Sequence, residues 1–304
     1  MPPTLSDDPV AFAAAELGLE AATLRRIEAT AVDLAQLAGS EIVQALGRSL
    51  TIRYKSVDPA KLTDPAAPIN LFRDPVSEVD QRVEKLIRAR LADKFPDHDI
   101  LGEEIDTAIG HESDFMWAVD PIDGTTNFIN GFPLFAASIG VLHRGRPIAG
   151  AIWCSVSHAL YAGVYHACLG GDLHFDGEAM RPRLTPGIRR RLAGEPHAEP
   201  DIDLPWDVRK TGSAALECAF VAAGLLRVAR FERPNIWDVA AGFALVEAAG
   251  GSVLSYAERQ WMPFTTFEAP AATDGLASRI RAWHRPIIIG DPEGVALLRA
   301  RNSA

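Results

Sequence analysis

The feature that most constrains this chain is an apolar segment that runs directly into two aspartates. Residues 117–127 read WAVDPIDGTTN, and the apolar run before Asp120 is typical of a buried β-strand. A buried carboxylate without a partner costs a large free energy, so Asp120 and Asp123 cannot be ordinary core residues. The sequence therefore predicts a strand that ends at a cation site.

Two further acidic segments fit the same site. Glu103 and Glu104 end a short apolar strand in LGEE, and Asp238 opens a helix in NIWDVAAG. Mg²⁺ takes oxygen ligands, and the D-x-x-D spacing lets both strand-end carboxylates and the intervening Ile122 carbonyl converge on a metal pair. We therefore predict a hydrolytic site of two or three metal ions, in which one ion activates water and another stabilises the leaving oxygen.

Each acidic position also has a purely structural interpretation. Asp238 alone is typical of a helix N-cap, and Glu103 or Glu104 alone of a solvated strand end. Asp80 alone is typical of a first-turn partner of a helix dipole. Only their combination favours a metal site.

The segment after Asp123 supplies an anion site. Small residues and backbone N–H groups follow at a predicted helix start, in Gly124, Thr125 and Thr126. Such N–H groups bind phosphate oxygens. The predicted metal and phosphate sites are therefore adjacent.

Composition excludes several classes of function. The 304 residues are 48% hydrophobic, as in folded domains, and the net charge of −10 argues against nonspecific nucleic-acid binding. Cys154, Cys168 and Cys218 lack metal-site spacing and are predicted to be buried thiols. The N-terminus does not resemble a signal peptide and no apolar stretch could span a bilayer, so we expect a cytoplasmic protein without a membrane partner.

Apolar periodicity divides the chain into helices and strands. We interpret residues 1–20 as a poorly tied N-terminal arm and residues 21–304 as the folded domain. Residues 181–205, rich in proline and charge, are interpreted as a surface connection. Helices are predicted at 24–46, 79–91 (with Ser77 as N-cap), 211–226, 238–251 and the C-terminal end, and strands at 51–55, 99–103, 115–121, 134–145 and 146–156.

At three places the sequence matches a known family. GEE at 102–104, DPIDGTTNF at 120–128 and WDVAAG at 237–242, followed by EAAGG, strongly resemble the inositol monophosphatase family. The resemblance runs from about residue 24 to the C-terminus. It implies a Mg²⁺-dependent phosphatase of the lithium-sensitive superfamily that forms a homodimer.

The resemblance also implies a fold. The class is α/β (α+β), a layered αβαβα sandwich like that of the inositol monophosphatases and fructose-1,6-bisphosphatases. A metal-binding half would occupy about 21–180, and a substrate-side half about 206–304.

Site residues follow from the resemblance position by position. The implied Mg²⁺ ligands are Glu103, Asp120, Asp123, Asp238 and the Ile122 carbonyl oxygen. The alcohol half of the substrate would be lined by Gly212, Ser213 and Ala214.

The implied mechanism is in-line attack on phosphorus by a metal-bound water, without a phosphoenzyme. Thr125 takes the proton, with Asp80 and Glu103 orienting it. Asp80 matches the acidic residue that hydrogen-bonds the catalytic threonine, and Lys55 matches a lysine on a flexible loop beside the site. Gly124 and Thr125 would meet phosphate through their amides.

The sequence departs from the family on the substrate side. Family members carry a sugar-contacting glutamate seven residues before the WD aspartate, where this chain has Phe231, with Glu232 one place later. The loop between residues 55 and 80 is longer than usual, and the 181–205 connection is shorter. We therefore hypothesise a small alcohol phosphate other than inositol phosphate. Arg233 could pair with a second anionic group of that substrate, although most such arginines form only surface ion pairs.

Several alternative functions remain open. Histidinol-phosphate phosphatases, fructose-1,6-bisphosphatases and 3'(2'),5'-bisphosphate nucleotidases share the metal core. From another class, the chain could be a noncatalytic phospholigand-binding regulator, although it keeps every ligand. The histidines, among them His98, His111 and His143, lack ligand spacing along the chain and are predicted to lie at the surface or at strand ends.

Overall fold

Helices and sheets alternate through the molecule in five layers. This αβαβα order confirms the predicted fold class. The computed structural model describes residues 8–55, 57–58, 61–62, 64, 66–105, 113–182, 185, 187–196, 205–267 and 280–301.

The first layer consists of three helices, α1 (Pro9–Glu16), α2 (Ala21–Ala45) and α3 (Glu78–Lys94). In α2, apolar residues recur at helical spacing from Leu24 to Ile42, so that one face of the helix is buried. The Ser77 side chain caps α3 by accepting from Val79 N at 3.2 Å. Both predicted helices are confirmed.

The predicted N-terminal arm is wrong for the described part of residues 1–20. Asp8 caps α1 by accepting from Val10 N at 3.1 Å, and Pro9 occupies the first helical position. Arg25 Nη2 lies 2.6 Å from Asp8 Oδ2, and the Ala14 side chain is fully buried. A short capped helix therefore packs on α2, and residues 1–7 lie outside the described part.

A small antiparallel ladder of β1 (Ile52–Tyr54) and β2 (Pro75–Ser77) leads into α3. The second layer is a sheet of seven strands in chain order, of which the first two are parallel and the others antiparallel. Its strands are β3 (Asp99–Gly102), β4 (Phe115–Asp123), β5 (Ala136–His143), β6 (Arg146–Cys154), β7 (Gly163–Cys168), β8 (His174–Phe175) and β9 (Glu178–Ala179). The short helix α4 (Thr125–Ile129) follows β4.

The third layer is formed by α5 (Ala214–Ala222) and α6 (Ile236–Ala248), and it contacts the sheet closely through two glycines. A Cβ on Gly150 would lie 2.4 Å from the Ala241 carbonyl oxygen, and one on Gly140 would lie 2.7 Å from Ala240 Cβ. Any larger side chain there would push α6 away from the sheet. The glycines therefore set the position of the helix that carries Asp238.

A six-stranded sheet forms the fourth layer, in the order β11-β10-β12-β15-β13-β14. Its strands are β10 (Arg191–Gly194), β11 (Trp206–Arg209), β12 (Val228–Phe231), β13 (Ser252–Ala257), β14 (Gln260–Pro263) and β15 (Ile287–Gly290). The helix α7 (Pro292–Arg301) covers its outer face as the fifth layer.

This second sheet corrects the interpretation of residues 181–205 as a surface connection only. Residues 191–194 form β10, which pairs in parallel with β11 on one side and β12 on the other. Ala193 is fully buried between them. The sequence pattern shows little sign of this strand, because the segment is rich in charge and proline and only the last two residues of β10 are buried.

Two composition-based expectations can be compared with the fold. Cys154, Cys168 and Cys218 are buried and unpaired, as predicted. Within the described ranges, every helix is too short or too polar to cross a membrane.

Candidate active site

Asp120 and Asp123 reach one cleft because β4 contains a bulge between them. In the ladder with β5, Asp120 pairs with Ser138 and Asp123 with Ala136, so β4 has one extra residue. Side chains alternate along a regular strand, and residues three apart would face opposite sides. Because of the extra residue, both carboxylates face the same side of the sheet.

Two neighbouring elements bring the other acids to this strand end. The Glu103 N–H donates to the Val119 carbonyl at 3.2 Å, which extends the β3–β4 ladder and places Glu103 beside Asp120. Ser138 Oγ donates to the Trp237 carbonyl at 2.9 Å and holds the start of α6 against β5. Asp238 thereby faces the same cleft.

Asp238 is the third residue of α6 and not its N-cap. Asn235 is the N-cap, and its backbone N–H donates to Asp238 Oδ2 at 2.8 Å in a capping box. The purely structural interpretation of Asp238 as an N-cap is therefore wrong. One oxygen of Asp238 fixes the helix start, and the other remains available to the cleft.

The cleft has a volume of about 220 Å³ and is mainly polar. It contains most of the residues that the sequence predicts for the site. Its lining comprises Arg73, Asp74, Pro75, Glu103, Asp120, Ile122, Asp123, Gly124, Thr125, Thr126, Gly212, Asn235 and Asp238.

The carboxylates in this cleft repel one another. Burial, together with the charges of Glu103 and Asp123, raises the pKa of Asp120 well above its usual value. Burial likewise raises the pKa of Asp123 to about 7, and burial with the charges of Asp123 and Glu103 raises the pKa of Asp238. A divalent cation among these groups would remove the repulsion.

The donor set fits Mg²⁺. Asp120 Oδ1 is buried and lacks a hydrogen-bond partner among the described residues, so it has an unused lone pair directed into a polar site. Carboxylate and carbonyl oxygens are the ligands that hard divalent cations take. The site could hold a metal pair through Glu103, Asp120, Asp123, Asp238 and the Ile122 carbonyl oxygen.

Lys55 places a cation at the edge of this cluster. Its Nζ lies 2.6 Å from Glu103 Oε1 and 2.9 Å from Glu104 Oε1. Burial alone would lower the pKa of Lys55, but the two carboxylates raise it above its usual value. Lys55 therefore contacts the site through Glu103, as a loop residue beside it was expected to do.

The predicted hydrogen bond between Thr125 and Asp80 is present. Thr125 Oγ1 lies 3.1 Å from Asp80 Oδ1 and 2.9 Å from the Ile122 carbonyl oxygen. Asp80 is fully buried behind Thr125, and its Oδ2 accepts from Ser77 N at 2.9 Å. Burial raises the pKa of Asp80 to about 6.

Gly124 must be glycine because it joins β4 to α4 with a left-handed backbone, φ +90°. A Cβ there would also lie 3.3 Å from Ser213 Cβ. The chain therefore turns tightly, and the segment around Gly212 packs directly against the turn.

Ser213 has a role that the sequence did not predict. It caps α5, and its hydroxyl donates to Asp123 Oδ2 at 2.8 Å, while the Ala215 N–H donates to the same oxygen at 2.5 Å. Ser213 therefore orients Asp123, whereas Gly212 lines the cleft itself.

A second cleft of about 240 Å³ adjoins the acidic one, and Gly212 lines both. Ala214 and Arg233 lie here, at the predicted alcohol side, and not in the acidic cleft. This second cleft is lined by Glu195, Pro196, Lys210, Gly212, Ser213, Ala214, Glu217, Arg230, Phe231, Glu232, Arg233 and Pro234.

Two other side chains position the site and were missed by sequence reasoning. Glu84 is fully buried on α3, and its Oε2 accepts from Glu104 N at 2.7 Å. Asn127 Nδ2 donates to the Leu134 carbonyl at 2.6 Å and to the Thr211 carbonyl at 2.8 Å. For Asn127, the available signal was its place in DPIDGTTN, whereas Glu84 resembles any helix-surface glutamate.

The five layers and the carboxylate cleft define a protein of the layered α/β class with an acidic site at a strand end. Comparison with known proteins makes the assignment specific. The chain belongs to the inositol monophosphatase family, whose model matches residues 23–285.

Relatives and solved structures agree with this assignment. The chain is 32% identical over 239 residues to "Phosphatase IMPL1, chloroplastic" of Arabidopsis thaliana, a match that covers 73% of this chain and 60% of that protein. It is 32% identical over 226 residues to "Nus factor SuhB" of Xylella fastidiosa, covering 69% and 79%. The extragenic suppressor protein suhB from Bartonella henselae superposes with a TM-score of 0.65 and 26% identity, over 89% of this chain and 96% of that one.

We predict that Asn127→Asp lowers the free energy of unfolding by about 2–4 kcal/mol. The change keeps the shape of the side chain, but it removes a donor from two carbonyls and places a carboxylate against them. Urea denaturation measures the loss. The matched control is Asn130→Asp, because the exposed Asn130 makes one hydrogen bond, to the Thr126 carbonyl. Equal effects of the two substitutions would contradict the prediction.

Proposed function

We propose that this chain hydrolyses a small phosphomonoester in a Mg²⁺-dependent reaction. The observation that carries the proposal is the buried carboxylate cluster, in which Asp120 Oδ1 has no partner among the described residues. Such a cluster is costly without a cation. The residues proposed to hold two or three Mg²⁺ ions are Glu103, Asp120, Asp123, Asp238 and Ile122.

When bound, the ions would neutralise charge on the phosphate and lower the pKa of a water molecule. The chain positions the other reactants. The amides of Gly124 and Thr125 are proposed to bind a phosphate oxygen, since they lie at the lining of the same cleft. No nucleophilic side chain is required.

Thr125 is proposed to receive the proton of the attacking water. Its oxygen would accept that proton as its own hydroxyl proton passes to Asp80 Oδ1, which lies 3.1 Å away. Asp80 cannot rotate away, because Ser77 holds its other oxygen. Asp80 thus orients the Thr125 hydroxyl, and Glu103 is proposed to orient the water.

The second cleft supports an anionic substrate other than inositol phosphate. Phe231 is largely buried at the end of β12 and offers no hydrogen bond to a sugar hydroxyl. Lys210, Arg230 and Arg233 line the same cleft, beside the acidic Glu195, Glu217 and Glu232, and are the groups proposed to bind a second phosphate or a carboxylate on the substrate. We therefore favour a phosphomonoester with a further anionic group.

The remaining expectations belong to the same proposal. They are a cytoplasmic location, a homodimer, a division into metal-binding and substrate-side halves, and the absence of a nucleic-acid or membrane partner. The net charge of −10 supports the exclusion of nucleic acid.

With Mg²⁺, the purified protein is expected to hydrolyse at least one member of a panel of inositol 1-phosphate, histidinol phosphate, fructose 1,6-bisphosphate and adenosine 3',5'-bisphosphate. Asp120→Asn should lower kcat/KM more than about a hundredfold, because it removes a proposed ligand charge. The control is Asp114→Asn, which makes the same change at an exposed position just before β4.

The same panel of substrates also distinguishes an enzyme from a noncatalytic regulator. One observation favours a noncatalytic phospholigand-binding regulator, namely the similarity to a relative named as a Nus factor. If no substrate is hydrolysed with Mg²⁺, that reading replaces the proposed enzyme. If inositol 1-phosphate is hydrolysed far faster than the other substrates, the proposed substrate preference is wrong.

Thr125→Val should lower kcat by about a hundredfold or more, the scale of a lost general acid–base step. Valine keeps the shape of threonine but cannot receive or pass a proton. Thr125→Ser is the matched control, because it keeps the hydroxyl and should retain activity within about tenfold. If the valine variant is as active as the serine variant, Thr125 has no role in proton transfer.

Arg233→Met should raise KM for fructose 1,6-bisphosphate by about tenfold or more while changing KM for a monophosphate much less. A charged hydrogen bond to the second phosphate contributes about 1.5–3 kcal/mol. Steady-state kinetics on both substrates measure the difference. Arg209→Met, at another exposed arginine outside the second cleft, is the control. Equal changes for the two substrates would contradict the role of Arg233.

A further inference from the structure

Three potential metal ligands converge at a place remote from the acidic cleft in the fold. They are Glu28 on α2, His166 on β7 and His174 on β8. One ligand atom from each lies within 4.8 Å of the other two, and each residue is partly buried. The histidines showed no ligand spacing along the chain, because the fold brings together residues from separate elements.

The strand pairing places the two histidines side by side. His166 and His174 are direct partners in the antiparallel β7–β8 ladder, so their side chains project from the same face of the sheet. Their rings are parallel within 10°, with centroids 5.0 Å apart. α2 packs on this face and brings Glu28 to the pair.

Hydrogen bonds determine which ring nitrogens of the two histidines can bind a metal ion. His174 Nδ1 lies 2.9 Å from the Asp172 carbonyl oxygen, which can only accept, so Nδ1 carries the proton and Nε2 keeps its lone pair. His166 Nδ1 lies 2.8 Å from Glu28 Oε1, so these two atoms can both be ligands when an ion replaces the proton between them. Metal-binding histidines commonly donate their other ring nitrogen to a carbonyl or a carboxylate.

The chemistry of this group differs from that of the acidic cleft. Imidazole nitrogens suit Zn²⁺, Ni²⁺ and Cu²⁺, whereas Mg²⁺ prefers oxygen ligands only. Tetrahedral Zn²⁺ with bonds of about 2.0–2.1 Å places its ligand atoms about 3.3 Å apart. The present limit of 4.8 Å therefore requires a closure of up to ~1.5 Å, within reach of side-chain rotation at partly exposed residues.

We propose that Glu28, His166 and His174 form a second metal site, for a borderline transition-metal ion such as Zn²⁺. The ion joins α2 to the β7–β8 ladder, which connects the first helix layer to the far edge of the seven-stranded sheet. An ion that binds only the folded state stabilises it in proportion to the logarithm of its concentration. This site is independent of the proposed phosphatase function.

Zn²⁺ binding to the full chain tests the site, by equilibrium dialysis in excess Mg²⁺. Any Zn²⁺ that enters the acidic cleft is common to the wild type and to His174→Gln, so the difference between them isolates the second site. The wild type should bind one more Zn²⁺ per chain than His174→Gln. The matched control is His284→Gln, which removes an exposed histidine outside the group and should bind as the wild type does.

Two further measurements keep the test decisive. Glu28→Gln should weaken the additional Zn²⁺ by about tenfold or more. Zn²⁺ should raise the melting temperature of the wild type more than that of His174→Gln. Circular dichroism shows whether His174→Gln is folded. If it is not folded, His166→Gln is measured instead. Equal Zn²⁺ stoichiometry and affinity in the wild type and the histidine variant would overturn the proposal.

Discussion

Repulsion between buried carboxylates is the constraint on which the rest of the structure depends. Burial, together with the charges of neighbouring carboxylates, raises the pKa of Asp120, Asp123 and Asp238. An isolated strand or helix would separate such groups. The chain holds them together because β4 carries Asp120 and Asp123, α6 carries Asp238, and α6 is packed against the sheet by its close contact with Gly140 and Gly150.

Asp238, Asp123 and Asp80 share one arrangement. In each, one carboxylate oxygen accepts a hydrogen bond that fixes the surrounding fold, and the other oxygen remains for the site. Oδ2 of Asp238 accepts from Asn235 N, Oδ2 of Asp123 accepts from Ser213 Oγ, and Oδ2 of Asp80 accepts from Ser77 N. Two of these bonds belong to capping boxes, so helix initiation and site geometry are one interaction. Asp238 and Asp80 therefore have a structural role as the third residue of a capping box, and this role is compatible with the function proposed for them.

The sequence predicted the elements with strong periodicity and the acids within short motifs. Helices α2, α3, α5 and α6 follow from apolar spacing, and Asp120 with Asp123 follows from a strand that ends in charge. The local sequence pattern could not predict features that depend on contacts between residues far apart in the chain. The short strands of the second sheet carry little periodicity, Glu84 acts through a backbone group twenty residues away, and His166 meets His174 only after β7 pairs with β8.

The clefts proposed for chemistry and for substrate selection are built by different elements. The acidic cleft is built mainly by the end of β4 and the start of α6, whereas the second cleft is built by the ends of β10 and β12 and the segment before α5. Gly212 lines both, and Ser213 ties its segment to Asp123. A change at Phe231 or Arg233 can therefore alter the alcohol side without moving a carboxylate, because the contact between the two clefts passes through the cap of α5. Under the proposed function, the acidic cleft would determine the type of reaction, and the loop positions beside it would determine which phosphate ester can enter.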